Sequence, residues 1–239
     1  MINFNIAQWR AWAPGLESVD DWQAWSRQPV VLPASDAAPD VSFLPAMQRR
    51  RLSRLARMAF SVGWPLAEGR TNLPLVFISR HGETPRTFEI LKDLAANQPL
   101  SPTQFSLSVH NAVIGLWSIL RGETSEMTAL AATGDGLEHG ILEAVALLNE
   151  GAAAVLLVIT EEQPPQVYAP WVNDVPFPYA MGLLLTPGDD WQLDLSTQAD
   201  QRPASDWPHA LGLLRTLLNP PSTCQHAWKN RLWTWQCNR

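Results

Sequence analysis

The sequence predicts an α/β domain built on a mixed sheet with helices on both faces. Three observations carry that reading. Segments with a helical apolar period alternate with short strand-like runs along the whole chain. The run Ala152 to Ile159 is apolar throughout, as a strand covered on both faces must be. Ala180–Thr186 and Trp191–Thr197 flank Pro187-Gly188-Asp189-Asp190 and read as an antiparallel hairpin, which makes the sheet mixed.

The elements follow in order. Ile2 to Trp12 alternates apolar and polar side chains as a strand does. Ser18 is an N-cap candidate for a short helix to Arg27, and the proline-rich stretch Gln28 to Pro45 reads as a surface excursion. Pro45 to Val62 reads as one helix, with Leu52, Leu55, Ala56, Ala59 and Phe60 on one face and arginines on the other. Leu73 to Ser79 is a buried-strand candidate, and Arg86 to Ala96 a helix after Gly82 and Thr84-Pro85.

Ser101 to Leu120 reads as a single helix. Phe105, Val109, Val113, Leu116 and Leu120 form an apolar stripe, and Ser108, Ala112, Gly115 and Ser118 a small-residue stripe that would admit a close-packed neighbour. His110-Asn111 would then be partly buried and need partners. Glu126 to Ala132 is a strand, Ala132-Thr133-Gly134-Asp135-Gly136 a tight turn, and His139 to Asn149 a helix ending at Gly151. Ser205 to about Leu218 is a helix stopped by Pro220-Pro221, and Ala227 to Cys237 a final strand.

Composition narrows the class. A chain of 239 residues without a flexible linker forms one domain, and buries roughly 70–75% of its unfolded surface. The net charge of −6 excludes a nucleic-acid footprint. The arginines at 49, 50, 51, 54 and 57 decorate one helix, and an acidic carrier protein is the partner they would suit. Cys224 and Cys237 have no metal-ligand spacing, and neither a metal nor a cofactor is expected. The first residues lack a secretory pattern, and no apolar run is long enough to span a bilayer, so a cytoplasmic setting is expected. The tryptophans crowd toward both ends, where packing explains them more simply than a partner surface does.

A strand leading into a sharp turn that opens a helix is how many α/β enzymes present a nucleophile. Here the turn has no Ser or Cys at its tip. Thr133 would need a neighbouring base, and Asp135 and His139 are the nearest candidates. An autonomous hydrolase or acyltransferase built on His110 or His139 with Asp135 lacks a well-placed nucleophile, because Ser106 alone is a helical neighbour of His110.

The string Phe105-Ser106-Leu107-Ser108-Val109-His110-Asn111-Ala112 through Gly115, the small-residue turn, and His139-Gly140-Ile141-Leu142-Glu143-Ala144 resemble the N-terminal half of a β-ketoacyl synthase. More closely, they resemble the half-length chain-length factors of aryl polyene-type biosynthesis, over about residues 1–190. The resemblance implies a thiolase-like half fold. It places the synthases' nucleophilic cysteine at Gly134 or Thr133, and neither is a thiol. The synthases' two further catalytic histidines come from a second half, and His209 and His226 match no such motif.

The resemblance therefore implies a non-catalytic subunit. It would pair with a full-length β-ketoacyl-acyl carrier protein synthase and meet the carrier protein through that complex. Phe105, Val109 and Trp117, with His110 and Asn111, would line the partner's acyl tunnel. Thr128, Ala129 and Ala131, with Ala132, would lie on the pairing strand. A homodimeric acyl-binding scaffold is the third reading. Residues from about 200 lie beyond the resemblance and are expected to form a helix–strand cap.

Overall fold

The computed structural model describes residues 1–197, 205–219 and 223–238. A seven-stranded mixed sheet runs through it. Its strands are β1 (Ile2–Trp12), β2 (Leu75–Ile78), β3 (Met127–Leu130), β4 (Val155–Glu161), β5 (Tyr179–Thr197), β6 (Thr223–Trp228) and β7 (Arg231–Cys237). The order is β3-β2-β4-β5-β7-β6, with β1 paired to β5. The contacts of β2 with β3 and β4 are parallel and the others antiparallel. This is the mixed α/β sheet of a thiolase-like half fold.

The two faces of the sheet are sorted by the strand period. Val76 and Ile78 of β2 and Val155, Leu157 and Ile159 of β4 enter one apolar core; Leu75, Phe77, Leu156 and Val158 enter the other. Helices α1 (Val19–Arg27), α7 (Gly136–Asn149) and α8 (His209–Leu218) cover the first face, and α3 (Arg54–Leu66) and α6 (Ala112–Arg121) the second. Every residue of β4 is buried, as its unbroken apolar run requires. Gly182 lets α3 close on β5, since a Cβ there would lie 3.1 Å from the Val62 carbonyl oxygen. Each large apolar side chain buried this way contributes about 1.5–3 kcal/mol.

Local chemistry sets the helix ends. Ser18 and Asp21 exchange hydrogen bonds in a capping box that starts α1. The arginine helix predicted from Pro45 to Val62 is two helices. The single turn α2 (Ala46–Arg49) is followed by α3, which restarts because the Ser53 hydroxyl accepts from the Ala56 amide at 3.0 Å. Arg54 folds back onto the Ser35 and Ala37 carbonyls, and Arg57 onto that of Arg49, which leaves Arg50 and Arg51 exposed. Helix α4 (Thr84–Ala95) has Pro85 in its first turn.

The continuous helix predicted over Ser101–Leu120 is also interrupted, into α5 (Pro102–Ser106) and α6. The Ser106 and Ser108 hydroxyls donate back to the Thr103 and Phe105 carbonyls, competing with helical bonding. The His110 ring leaves the helical path to donate to the Ser79 carbonyl at 2.7 Å, against Gly82.

Two strand assignments are corrected. The stretch Pro187–Asp190 is not a hairpin turn but a bulge within the 19-residue strand β5. The pairing with β1 jumps from Phe4↔Trp191 to Asn5↔Thr186, and the Asn5 side-chain oxygen accepts the Asp190 amide at 2.9 Å. The final stretch is a hairpin, β6–β7, where Lys229 adopts a left-handed φ of 55° and reverses the chain. The expected helix stop at Pro220-Pro221 lies outside the described residues. No helix among the described residues is long and apolar enough to cross a membrane.

A Cβ on Gly188 would sit 2.2 Å from the Asn5 side chain. Gly188→Ala is therefore expected to destabilise the chain by about 1–3 kcal/mol. Urea unfolding of the variant checks this, with a lower midpoint and an unchanged slope as the expected result.

Candidate functional site

The parallel strands β2, β3 and β4 end together, and α/β folds present ligands at such carboxyl ends. A cavity of about 410 Å³ opens there. Ile78 and Arg80 after β2, Thr133 and Gly134 after β3, and Ile159 and Glu161 of β4 line it, with Tyr179, His209 and Trp228 closing it. The predicted nucleophile turn is thus at the expected place in the fold.

The turn is filled by the C-terminal hairpin. The Trp228 indole N–H donates to the Thr133 hydroxyl at 3.0 Å. A Cβ built on Gly134 would lie 2.3 Å from the Trp228 ring, so no side chain fits there while that ring is in place. Asp135 is buried. Arg231 grips its carboxylate with two hydrogen bonds of 2.6 and 3.0 Å, and the Trp233 indole adds a third at 3.1 Å. Burial pushes the Asp135 carboxyl up, but the Arg231 and Trp233 bonds outweigh it and hold the group below the usual carboxylate range.

One turn along α7, Glu138 is wholly buried. His209 from α8 bonds one carboxylate oxygen at 2.8 Å, and His226 from β6 bonds the other at 2.7 Å. The Trp235 indole donates to the second oxygen at 3.1 Å. Burial raises the Glu138 carboxyl, and the two histidines more than reverse this, keeping it ionised far below the ordinary range. Sequence reasoning missed this cluster. The signal was present: Glu138 lies on the same helical face as Ile141 and Val145, and a charge on an apolar face demands partners.

The other predicted residues separate into distinct settings. His110 is half-buried and tied to Ser79, whereas Asn111 is exposed. Trp117 is in the second core, edge-on to Phe60 and Trp64. Phe105 and Val109, which the helical stripe placed on an inward face, are 64% and 41% exposed. Gly115 in the small-residue stripe has open space before it. Thr128, Ala129 and Ala131 lie on or just after β3, an edge strand, and the Thr128 hydroxyl donates to Glu143.

The hydrolase constellation does not assemble. His139 bonds the Asp135 main-chain carbonyl at 2.9 Å, while its ring is 3.8 Å from the Asp135 carboxylate. The Ser106 and Ser108 hydroxyls are turned to backbone carbonyls and not to His110.

Comparison with known proteins agrees with this architecture. Residues 22–236 match the sequence profile of the β-ketoacyl synthase N-terminal domain. The chain belongs to the β-ketoacyl synthase N-terminal domain family. It is similar to a chain of the solved complex of a ketosynthase, ApeO, with its chain length factor, ApeC, from Xenorhabdus doucetiae. That match has 30% identity and a TM-score of 0.88, covering 99% of this chain and 100% of that one. The ishigamide ketosynthase/chain length factor shares the fold at 14% identity and a TM-score of 0.65, over 83% of this chain and 68% of that one. A β-ketoacyl synthase from Burkholderia phymatum shares it at 12% identity and a TM-score of 0.62, over 93% and 71% respectively. No curated protein matches by sequence.

Within this cavity, Glu161 is shifted toward neutral pH. It accepts from the Arg80 and His81 amides and the Ser79 hydroxyl, yet burial dominates and pushes its carboxyl up to about 7. Between its ordinary value of 4.5 and about 7 the folded state binds more protons than the unfolded chain. This group's contribution to stability is thus full below about 4.5 and lost as pH rises to about 7. Glu161→Gln is expected to flatten that part of the pH–stability profile and to raise stability above it. An unchanged slope in chemical denaturation across the window would contradict the assignment.

Proposed function

We propose that this chain is a non-catalytic, chain-length-factor-like subunit. It pairs with a full-length β-ketoacyl-acyl carrier protein synthase and shapes that partner's acyl tunnel, in fatty acid or polyketide biosynthesis of the aryl polyene type. The observation that carries the reading is the Trp228 ring packed over Gly134. Decarboxylative condensation on a thioester needs a nucleophile that can be acylated and donors for the developing charge. The turn offers no thiol, its one hydroxyl already accepts an indole N–H, and its acid is held by Arg231. The end-to-end similarity to a chain of a ketosynthase–chain length factor complex supports the same reading.

The pairing surface in this proposal is the β3 edge. Its four residues are each half-buried, and small side chains at Thr128 and Ala129 permit close approach of another backbone. Ile119 on α6 and Leu142 on α7, from the layers on either face of the sheet, are 68% and 39% exposed. An unpaired edge flanked by apolar side chains is a template for a second chain. Phe105 and Val109, exposed here, would be covered by the partner and meet its acyl chain. Arg50 and Arg51 would face an acidic carrier protein brought by the complex.

Co-expression with the natural ketosynthase is expected to give a heterodimer, with condensing activity in the complex and none in this chain alone. Turnover by the isolated chain would overturn the reading, and a homodimer indifferent to the synthase would favour an acyl-binding scaffold. Val109→Trp is expected to shorten the products of the complex, because overfilling a packed pocket costs about 1–3 kcal/mol. Products of unchanged length, read by mass spectrometry, would remove Val109 from the tunnel.

A further inference from the structure

The buried cluster below the turn sets a carboxylate between two imidazoles, a donor set that can hold a metal ion. Glu138, His209 and His226 offer one ligand atom each, all within 4.8 Å of one another, and all three residues are buried. They come from α7, α8 and β6, so the cluster joins α7 to two elements near the C-terminus. Among the described residues the donors to the carboxylate are two imidazoles and the Trp235 indole. Arg231, the nearby cation, is committed to Asp135 one turn earlier. A carboxylate so deeply buried needs a positive counterpart.

We propose that Glu138, His209 and His226 form a binding site for a divalent transition metal, with Zn²⁺ as the ion their chemistry suits best. Two imidazoles and one carboxylate are a borderline donor set, which favours Zn²⁺ or Co²⁺ over Mg²⁺ or Ca²⁺. The Trp235 N–H fixes the carboxylate from outside, as outer partners of metal ligands do. Access exists from two sides, because His209 lines the cavity at the strand ends and His226 lines an adjacent cleft.

Loading requires a small adjustment. The two N···O separations of 2.8 and 2.7 Å are hydrogen-bond lengths. These two bonds run to different carboxylate oxygens, so a tetrahedral site with bonds of about 2.0–2.1 Å and ligand atoms roughly 3.3 Å apart also requires the Glu138 carboxylate to turn and set one oxygen between the rings. Each ring would coordinate through Nδ1 with its proton on Nε2, while Glu138 stays ionised. The ion would staple α8 and the β6–β7 hairpin to α7, beneath the Trp228 plug.

The test uses the full chain, alone or in complex with its ketosynthase, stripped with chelator and dialysed against Zn²⁺. About one equivalent is expected to remain by elemental analysis, and Zn²⁺ is expected to raise the melting temperature. Co²⁺ in its place should give the intense visible bands of a four-coordinate site. His226→Gln and Glu138→Gln should each weaken retention by about 100-fold or more, with folding checked by circular dichroism. The wild-type measurements decide the matter even where a variant fails to fold. Substoichiometric Zn²⁺ with the spectrum of hydrated Co²⁺, or full retention in a folded His226→Gln protein, would overturn the site and leave a hydrogen-bonded triad.

Discussion

The first turn of α7 carries two buried carboxylates, and the rest of the molecule is arranged to satisfy them. Asp135 and Glu138 take their partners from a stretch of chain some seventy to a hundred residues later: Arg231 and Trp233 for one, His209, His226 and Trp235 for the other. Removing one partner of such a pair strands a buried charge, which costs about 3–5 kcal/mol in a dry site and less where, as for Arg231, the partner is partly exposed. Satisfying both acids ties α8, on the first face of the sheet, and the β6–β7 hairpin, at the sheet's end, to the start of α7. The same placement delivers Trp228 to Gly134. The C-terminal segment thus closes over the turn that follows β3.

That closure moves the functional weight of the molecule. The strand ends still form a cavity, and Glu161 there is still tuned by burial, but the turn itself has become an anchor. The surface left for a partner in the proposed role is the other end of the sheet. There β3 has a bare edge, with Ile119 and Leu142 exposed beside it and the α5–α6 break carrying Phe105 and Val109 at the surface. A filled turn beside a bare sheet edge fits the proposed role, in which this chain contributes a surface to another chain's site.

The layers were legible in the sequence because burial on both faces leaves a plain mark. The apolar run of β4, the alternation of β1 and the cap at Ser18 all appear as read. Most of the misreadings trace to side chains that bond to backbone groups, near or far along the chain. Ser53 restarts a helix, Ser106, Ser108 and His110 interrupt another, and Asn5 turns Pro187–Asp190 into a bulge where the dipeptide signals pointed to a hairpin. Of the site, the turn after β3 was readable. The Trp228 plug and the Glu138 cluster were not, because they join positions 71 to 97 residues apart and no local pattern encodes that pairing.

The central claim is that this chain acts through its β3 edge and not through its turn. Amide hydrogen exchange on the chain alone and in complex with its ketosynthase tests this directly. The account requires new protection over Met127–Leu130 and the Phe105–Ile119 region, with Ala132–Gly136 unchanged. Protection confined to the turn and cavity, with β3 exchanging as before, would contradict it.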